Sequence, residues 1–202
     1  MIRHIVFDVG HVLIDWDPEI PFRRLIPDAV ERRWFLDHVC TSAWNRAQDR
    51  GRDWGEAEAI LIRQFPEHEA MIRAYRAHWT EMLPGEIDGS FAVLRALMDA
   101  GHDVTLLTNF HQDTFPLAQD IFPDLKRPRG ATVSGTERML KPDREIYDRH
   151  VANFDLDPAA CLFFDDTRAN VAGAEVAGWQ ARHFSSADRM RRDLASFGIE
   201  ID

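Results

Sequence analysis

Cysteine is scarce. Only two occur in 202 residues, and Cys40 and Cys161 lie in apolar surroundings without a CxxC motif or a Cys/His cluster. That excludes a disulfide framework or zinc site and predicts two buried, reduced thiols in a reducing cytoplasm. Long hydrophobic runs are missing too: the apolar stretches are soon broken by Asp, Arg or Gly, and MIRHIVFDVG meets an acid before a signal-peptide core can form. The chain therefore reads as neither secreted nor membrane-spanning. Positive charge is in short supply, because 24 Lys plus Arg face 34 Asp plus Glu, for a formal charge of -10. Such a balance repels a polyphosphate backbone and argues against nucleic acid as the primary partner. No internal repeat, Gly/Ser linker or long charge run breaks the chain into pieces.

The length suits one sizeable core, or one core with a small inserted module. Short apolar runs at Ile5 to Phe7, Val104 to Leu107 and Cys161 to Phe164 are bounded by polar residues, like strands buried on both faces of a parallel sheet. Ala131 to Gly135 and Gln180 to Phe184 are weaker candidates that complete five strands. Helical patterns lie between and after them, carried by Phe91, Leu94, Leu97 and Met98, by Ile146, His150 and Val151, and by Val171, Ala174 and Gly178. This alternation predicts a Rossmann-like, doubly wound parallel sheet in a three-layer α/β/α arrangement.

From about Asp17 to Pro84 no strand pattern is evident. Val30, Trp34, Leu36 and Val39 predict one helix, Ala57, Ile60, Leu61 and Phe65 a second, and Met71, Ile72, Tyr75 and Trp79 a third. The economical division is an α/β core of residues 1–16 and 85–202 with an α-helical insertion at 17–84. Within the insertion, Trp44 to Trp54 reads as a helix-poor stretch of three arginines and two aspartates around Gly51.

Open α/β sheets bind ligands beyond the carboxyl ends of their strands. Asp8 closes the first run, Thr108 and Asn109 the second, and Asp165 with Asp166 the fourth strand, while Lys141 and Pro142 follow SGTERML. Singly, each has a plain structural reading as a helix cap or a solvated side chain. In order, FDVGHVLIDWD, LLTN, KPDREIY and FFDDTRAN resemble the four motifs of the haloacid dehalogenase-like hydrolase superfamily. The opening and closing motifs look most like its bacterial sugar-phosphate phosphatase branch.

The resemblance implies a phosphatase acting on a small phosphate, with Asp8 as nucleophile and Thr108, Asn109 and Lys141 as the groups around the phosphoryl oxygens. It also implies Mg²⁺ held by Asp8, the Gly10 carbonyl, Asp165 and Asp166. Hard carboxylate oxygens suit that ion, and a cation offsets the repulsion between an attacking carboxylate and a phosphate dianion. Asn170 matches a position that steadies the fourth loop, or else is a surface residue of a helix's first turn. The insertion then becomes a cap, and Asn45, Gln48, Arg50 and Arg52 become candidate contacts to the leaving group, the alternative being a solvated loop.

One departure stands out. Most family phosphatases carry a general acid and base two residues after the nucleophile, and this chain has Gly10 there. His11 and Asp17 are candidate replacements. The gap keeps open a 2-haloacid dehalogenase, although the paired acids of the fourth motif favour phosphate over halide. It also keeps open a non-catalytic binding module, although nucleophile, lysine and acids all remain.

Overall fold

The computed structural model describes residues 1–201. Five parallel strands, β1 (His4–Phe7), β2 (Asp103–Thr108), β3 (Ala131–Val133), β4 (Cys161–Asp165) and β5 (Gln180–His183), form a sheet of order β3-β2-β1-β4-β5. After β1, residues 17–84 hold α1 (Glu19–Leu25), α2 (Ala29–His38), α3 (Ser42–Asp49), α4 (Trp54–Gln64) and α5 (Glu69–Ala77). They are followed by α6 (Ser90–Asp99), α7 (Phe115–Ile121), α8 (Ser134–Glu137), α9 (Arg144–Phe154), α10 (Arg168–Val176) and α11 (Ala187–Ser196). The expected Rossmann-like α/β fold is present.

Side-chain alternation along the strands builds two cores. Ile5, Phe7, Leu106 and Phe164 join a layer with Phe91 and Leu94 of α6 and Met190 and Leu194 of α11. Val6, Leu107 and Phe163 join Ile146 and Tyr147 of α9 and Ala174 of α10 on the other side. Each fully buried large apolar side chain contributes about 1.5–3 kcal/mol. Phe22, Phe35, Trp54 and Tyr75 of the helical segment belong to the first layer, so that segment is packed continuously with one face of the sheet. No helix among the described residues is long and apolar enough to cross a membrane. Both cysteines are free and buried.

Two local expectations need correction. Phe35, rather than Val30 or Trp34, anchors α2: Phe35 is fully buried, whereas Val30 is 79% and Trp34 40% exposed. Asp28 caps α2 by accepting from Val30 N and Glu31 N, and this sets the angular position at which Phe35 faces inward. Nor is Trp44 to Trp54 poor in helix, because most of it is α3. Thr41 Oγ1 accepts from Trp44 N at 3.0 Å, and Gln48, one turn after Trp44, is completely buried. The abundant charges hide an inward face one residue wide per turn. Gly51 ends the segment at φ 92°, where a Cβ would collide with the Gly135 carbonyl of α8, so only glycine lets the two backbones approach there.

Candidate active site

The chain runs from β1 outward to β2 and β3, then crosses to β4 and β5 on the other side of β1. A crevice opens at such a reversal, at the carboxyl ends of the strands. Phe7 is in register with Phe164, so Asp8 and Asp165, the next residues of the two strands, stand side by side.

Lys141 lies between them. Its ammonium is completely buried, 2.8 Å from Asp8 Oδ1 and 2.7 Å from Asp165 Oδ2, and it donates a third bond to the Leu107 carbonyl at 2.9 Å. All three of its donors are used. Asn109 fixes the backbone behind it, donating to the Lys141 carbonyl at 3.1 Å and accepting from Lys141 N at 2.9 Å. Asp8 also accepts from Val9 N at 2.7 Å. Asp165 is the most heavily bonded: Oδ1 accepts from Thr167 N (2.7 Å) and Asn170 Nδ2 (3.0 Å), and Oδ2 from Lys141 and Asn170 (3.1 Å). Asn170 is buried and holds this carboxylate rather than facing solvent.

Burial pushes the Asp8 carboxyl up to about 8, with Lys141 pulling the other way. Burial works on Asp165 in the same direction, but Lys141 and the Thr167 amide bring it below the usual carboxylate range. Asp166 is raised by burial and by its neighbour Asp165. Burial lowers Lys141, but Asp165 and Asp8 outweigh it and hold the ammonium above its ordinary value.

Oxygens of Asp8, Asp165 and Asp166 lie within 4.8 Å of one another. Ionised together, these three carboxylates would exceed the one ammonium by two negative charges in a poorly solvated place, and burial with mutual repulsion accordingly raises Asp8 and Asp166. Hard oxygen donors with that charge are the environment a small divalent cation needs. The residues fit Mg²⁺.

The cluster faces a cavity of about 560 Å³ lined on one side by Asp8, Gly10, His11, Asn109 and Asp166, and on the other by Asn45, Arg46 and Asp49 of α3. Ile14, Trp16, Trp79, Leu83 and Phe110 supply apolar walls. Of the residues singled out in the sequence, Asp8, Gly10, Asn109, Asp165, Asp166 and Lys141 are brought together. Thr108 ends β2 and is buried, and it does not line the cavity.

The four expected leaving-group contacts separate. Asn45 lines the cavity. Gln48 is buried and accepts from Arg52 Nε at 2.6 Å, while Arg50 reaches away to Asp143 at 2.8 Å. His11 lines the cavity, with Nδ1 3.2 Å from Asp15 Oδ1. Asp17 instead starts α1, accepting from Glu19 N at 2.8 Å and Arg23 Nη2 at 2.9 Å. Sequence reasoning passed over Arg46 and Asp49. Asp49 lies four residues after Asn45 and three after Arg46 on a capped helix, and that spacing is the signal that places it at one wall with both.

The profile of the haloacid dehalogenase-like hydrolase family matches residues 2–178, and the chain belongs to that family. A sesquiterpene phosphatase of Aspergillus oryzae is 28% identical over 182 residues, 90% of this chain and 89% of that protein. A chloroplastic flavin mononucleotide hydrolase of Arabidopsis thaliana is 29% identical over 120 residues, 57% of this chain and less than half, 46%, of the relative's length. Among solved structures, a HAD family enzyme of Bacteroides thetaiotaomicron in complex with magnesium and inorganic phosphate superposes with a TM-score of 0.70. It is 20% identical, with 92% of this chain and 96% of that chain covered. L-2-haloacid dehalogenase of Xanthobacter autotrophicus gives 0.68 at 20% identity over 98% of this chain and 84% of its own. These likenesses establish the shared fold.

Proposed function

We propose that this protein is a Mg²⁺-dependent phosphomonoesterase that acts through an aspartyl phosphate on a small polar phosphate such as a sugar phosphate, in the cytoplasm. The observation that carries this reading is the cluster of three carboxyls, Asp8, Asp165 and Asp166, around a single ammonium beside a cavity. The family and the two phosphate-ester hydrolases among its relatives support it. A halide leaving group needs no cation, so retention of both Asp165 and Asp166 weighs against dehalogenation.

Asp8, Asp165, Asp166 and the Gly10 carbonyl would hold Mg²⁺, which when bound supplies the positive charge that lets a carboxylate approach a phosphate dianion. Asp8 attacks phosphorus, and the P–O bond to the leaving group breaks. Lys141 keeps the Asp8 carboxylate aimed and offsets charge on the phosphoryl oxygens, as fixed donors do in a water-poor site. Asn109 holds Lys141 in place through its backbone. Water then attacks the acyl phosphate, releasing inorganic phosphate and restoring Asp8. The helical segment of residues 17–84 acts as a cap over the core of residues 1–16 and 85–202, with Asn45 and Arg46 reading the leaving group.

Asp8→Asn tests the nucleophile. It should lower turnover of 4-nitrophenyl phosphate by about 10⁴-fold or more while preserving the circular dichroism spectrum, and EDTA should abolish wild-type turnover until Mg²⁺ is restored. Full activity in EDTA would return haloacid hydrolysis to first place.

A further inference from the structure

We propose that Asp49 is the general acid and base of this reaction, delivering from the wall of the cavity the proton that position 10 cannot supply. This deepens the phosphatase reading and rests on it. Among the described residues, three carboxyl side chains line the cavity, those of Asp8, Asp166 and Asp49. The first two belong to the nucleophile and metal cluster, and Asp17 is occupied by the start of α1. Of these carboxyls, Asp49 is the one with no assigned task.

Its placement is fixed from several directions. Asn45 Nδ2, one turn back on α3, donates to Asp49 Oδ2 at 3.2 Å. The Asp49 carbonyl accepts from Ser134 Oγ at the start of α8, and the close approach of Gly51 to Gly135 locks the same junction. Tyr75 of α5 is 3.4 Å from Asn45 Oδ1. The charged or titratable groups around Asp49 are Arg46 on its own helix, Tyr75 behind it, and Asp8, His11 and Asp166 across the cavity. Burial, outweighing Arg46, pushes its carboxyl up to about 8. It therefore carries a proton at neutral pH and can give it up, as a general acid requires.

The steps balance. As the Asp8 carboxylate forms its bond to phosphorus, the P–O ester bond breaks and its electron pair goes to the leaving oxygen, which takes the Asp49 proton and departs as an alcohol. In the second step the Asp49 carboxylate accepts a proton from water as that oxygen bonds to phosphorus. The P–O bond to Asp8 breaks, its electron pair returning to Asp8, and inorganic phosphate leaves.

The test is a series of phosphate monoesters from 4-nitrophenyl to simple alkyl, assayed with Mg²⁺ on the wild type and on Asp49→Asn, which retains shape and the bond to Asn45. The variant should lose about 10²-fold or more in kcat/KM on alkyl esters and less than about threefold on 4-nitrophenyl phosphate, whose leaving group needs no proton. In the wild type, the ratio of alkyl to nitrophenyl kcat/KM should fall as pH rises through about 8; the ratio cancels the titration of Asp8, common to both esters. A Cβ at Gly10 meets nothing within 4 Å, so adding Gly10→Asp to Asp49→Asn should recover alkyl activity. A flat wild-type ratio, or an equal loss on every ester, overturns the assignment of Asp49 alone. No turnover of any ester by the wild type overturns the phosphatase reading with it.

Discussion

Lys141 and His150 are both completely buried under the same sheet, yet one keeps its charge and the other gives it up. Burial opposes the charged form of each. Lys141 meets two carboxylates, which raise its ammonium above its ordinary range. The ring nitrogens of His150 meet hydroxyls instead: Nε2 is 2.9 Å from Thr105 Oγ1 and Nδ1 2.9 Å from Thr132 Oγ1, and burial pushes its imidazole down to about 3. The neutral cluster is closed and self-satisfied, tying β2 and β3 to α9. The charged one holds more carboxyls than its single ammonium can balance if all ionise, and it opens onto a cavity. Burial followed by complete hydrogen bonding marks a structural knot, whereas burial with uncompensated charge marks a place that awaits a ligand.

Lys141→Met should break this contrast most severely. It leaves Asp8 and Asp165 facing each other without the cation between them, and loss of one partner from a buried ionic cluster costs about 3–5 kcal/mol. Urea unfolding in Mg²⁺-free buffer measures that cost, and Mg²⁺ should restore part of it in the variant. Unchanged stability in Mg²⁺-free buffer would show that the carboxylates do not depend on Lys141.

His150→Leu sharpens the other side. It removes both hydroxyl contacts at a cost of about 1–3 kcal/mol, and turnover should stay within about twofold of wild type because the imidazole does not line the cavity. The pH dependence is the more telling measurement. The folded-state value is depressed, so between the unfolded value of about 6.5 and about 3 the unfolded chain binds a proton that the folded chain refuses. Stability from this group is therefore complete above that window and is lost as pH falls through it, by at most about 1.4 kcal/mol per pH unit. In His150→Leu this part of the acid slope should vanish; an unaltered slope would place the proton uptake on other groups.

Much of the charged site was legible in the chain because its residues close strands: an apolar run of period-free, two-face-buried residues ending in Asp or Thr names both the strand and the edge that binds. Asp8, Asp165 and Asp166 follow directly from that pattern. The neutral knot was not legible, since His150 sits on an apolar helix face and its partners Thr105 and Thr132 lie inside strands, where threonine is ordinary. The wall formed by α3 was obscured for a different reason. Its sequence is mostly charged, and only the Thr41 cap with the Trp44 and Gln48 spacing betrays a helix, so Asp49 looked like one more solvated acid. Partition of the arginines was equally hidden, because Arg46 and Arg50 are one turn apart and chemically identical.

Those two arginines give the smallest predicted effect and the finest test of how far along α3 the chemistry extends. Arg50 and Asp143 pair at 2.8 Å with about half of each side chain exposed. Exposed pairs contribute about 0–1 kcal/mol and less as salt rises. Arg50→Ala should therefore shift the unfolding midpoint slightly at low salt, not at all at high salt, and leave KM for any substrate unchanged. Arg46 lines the cavity and donates to the Lys141 carbonyl at 3.0 Å, so Arg46→Ala should raise KM, more for a bulky metabolite phosphate than for 4-nitrophenyl phosphate. The comparison is made at matched salt, where the ion pair of Arg50 is already screened. An equal rise in KM for both variants would place the leaving group across the end of α3 rather than along its cavity face, bringing Arg50 and Asp143 into the binding surface.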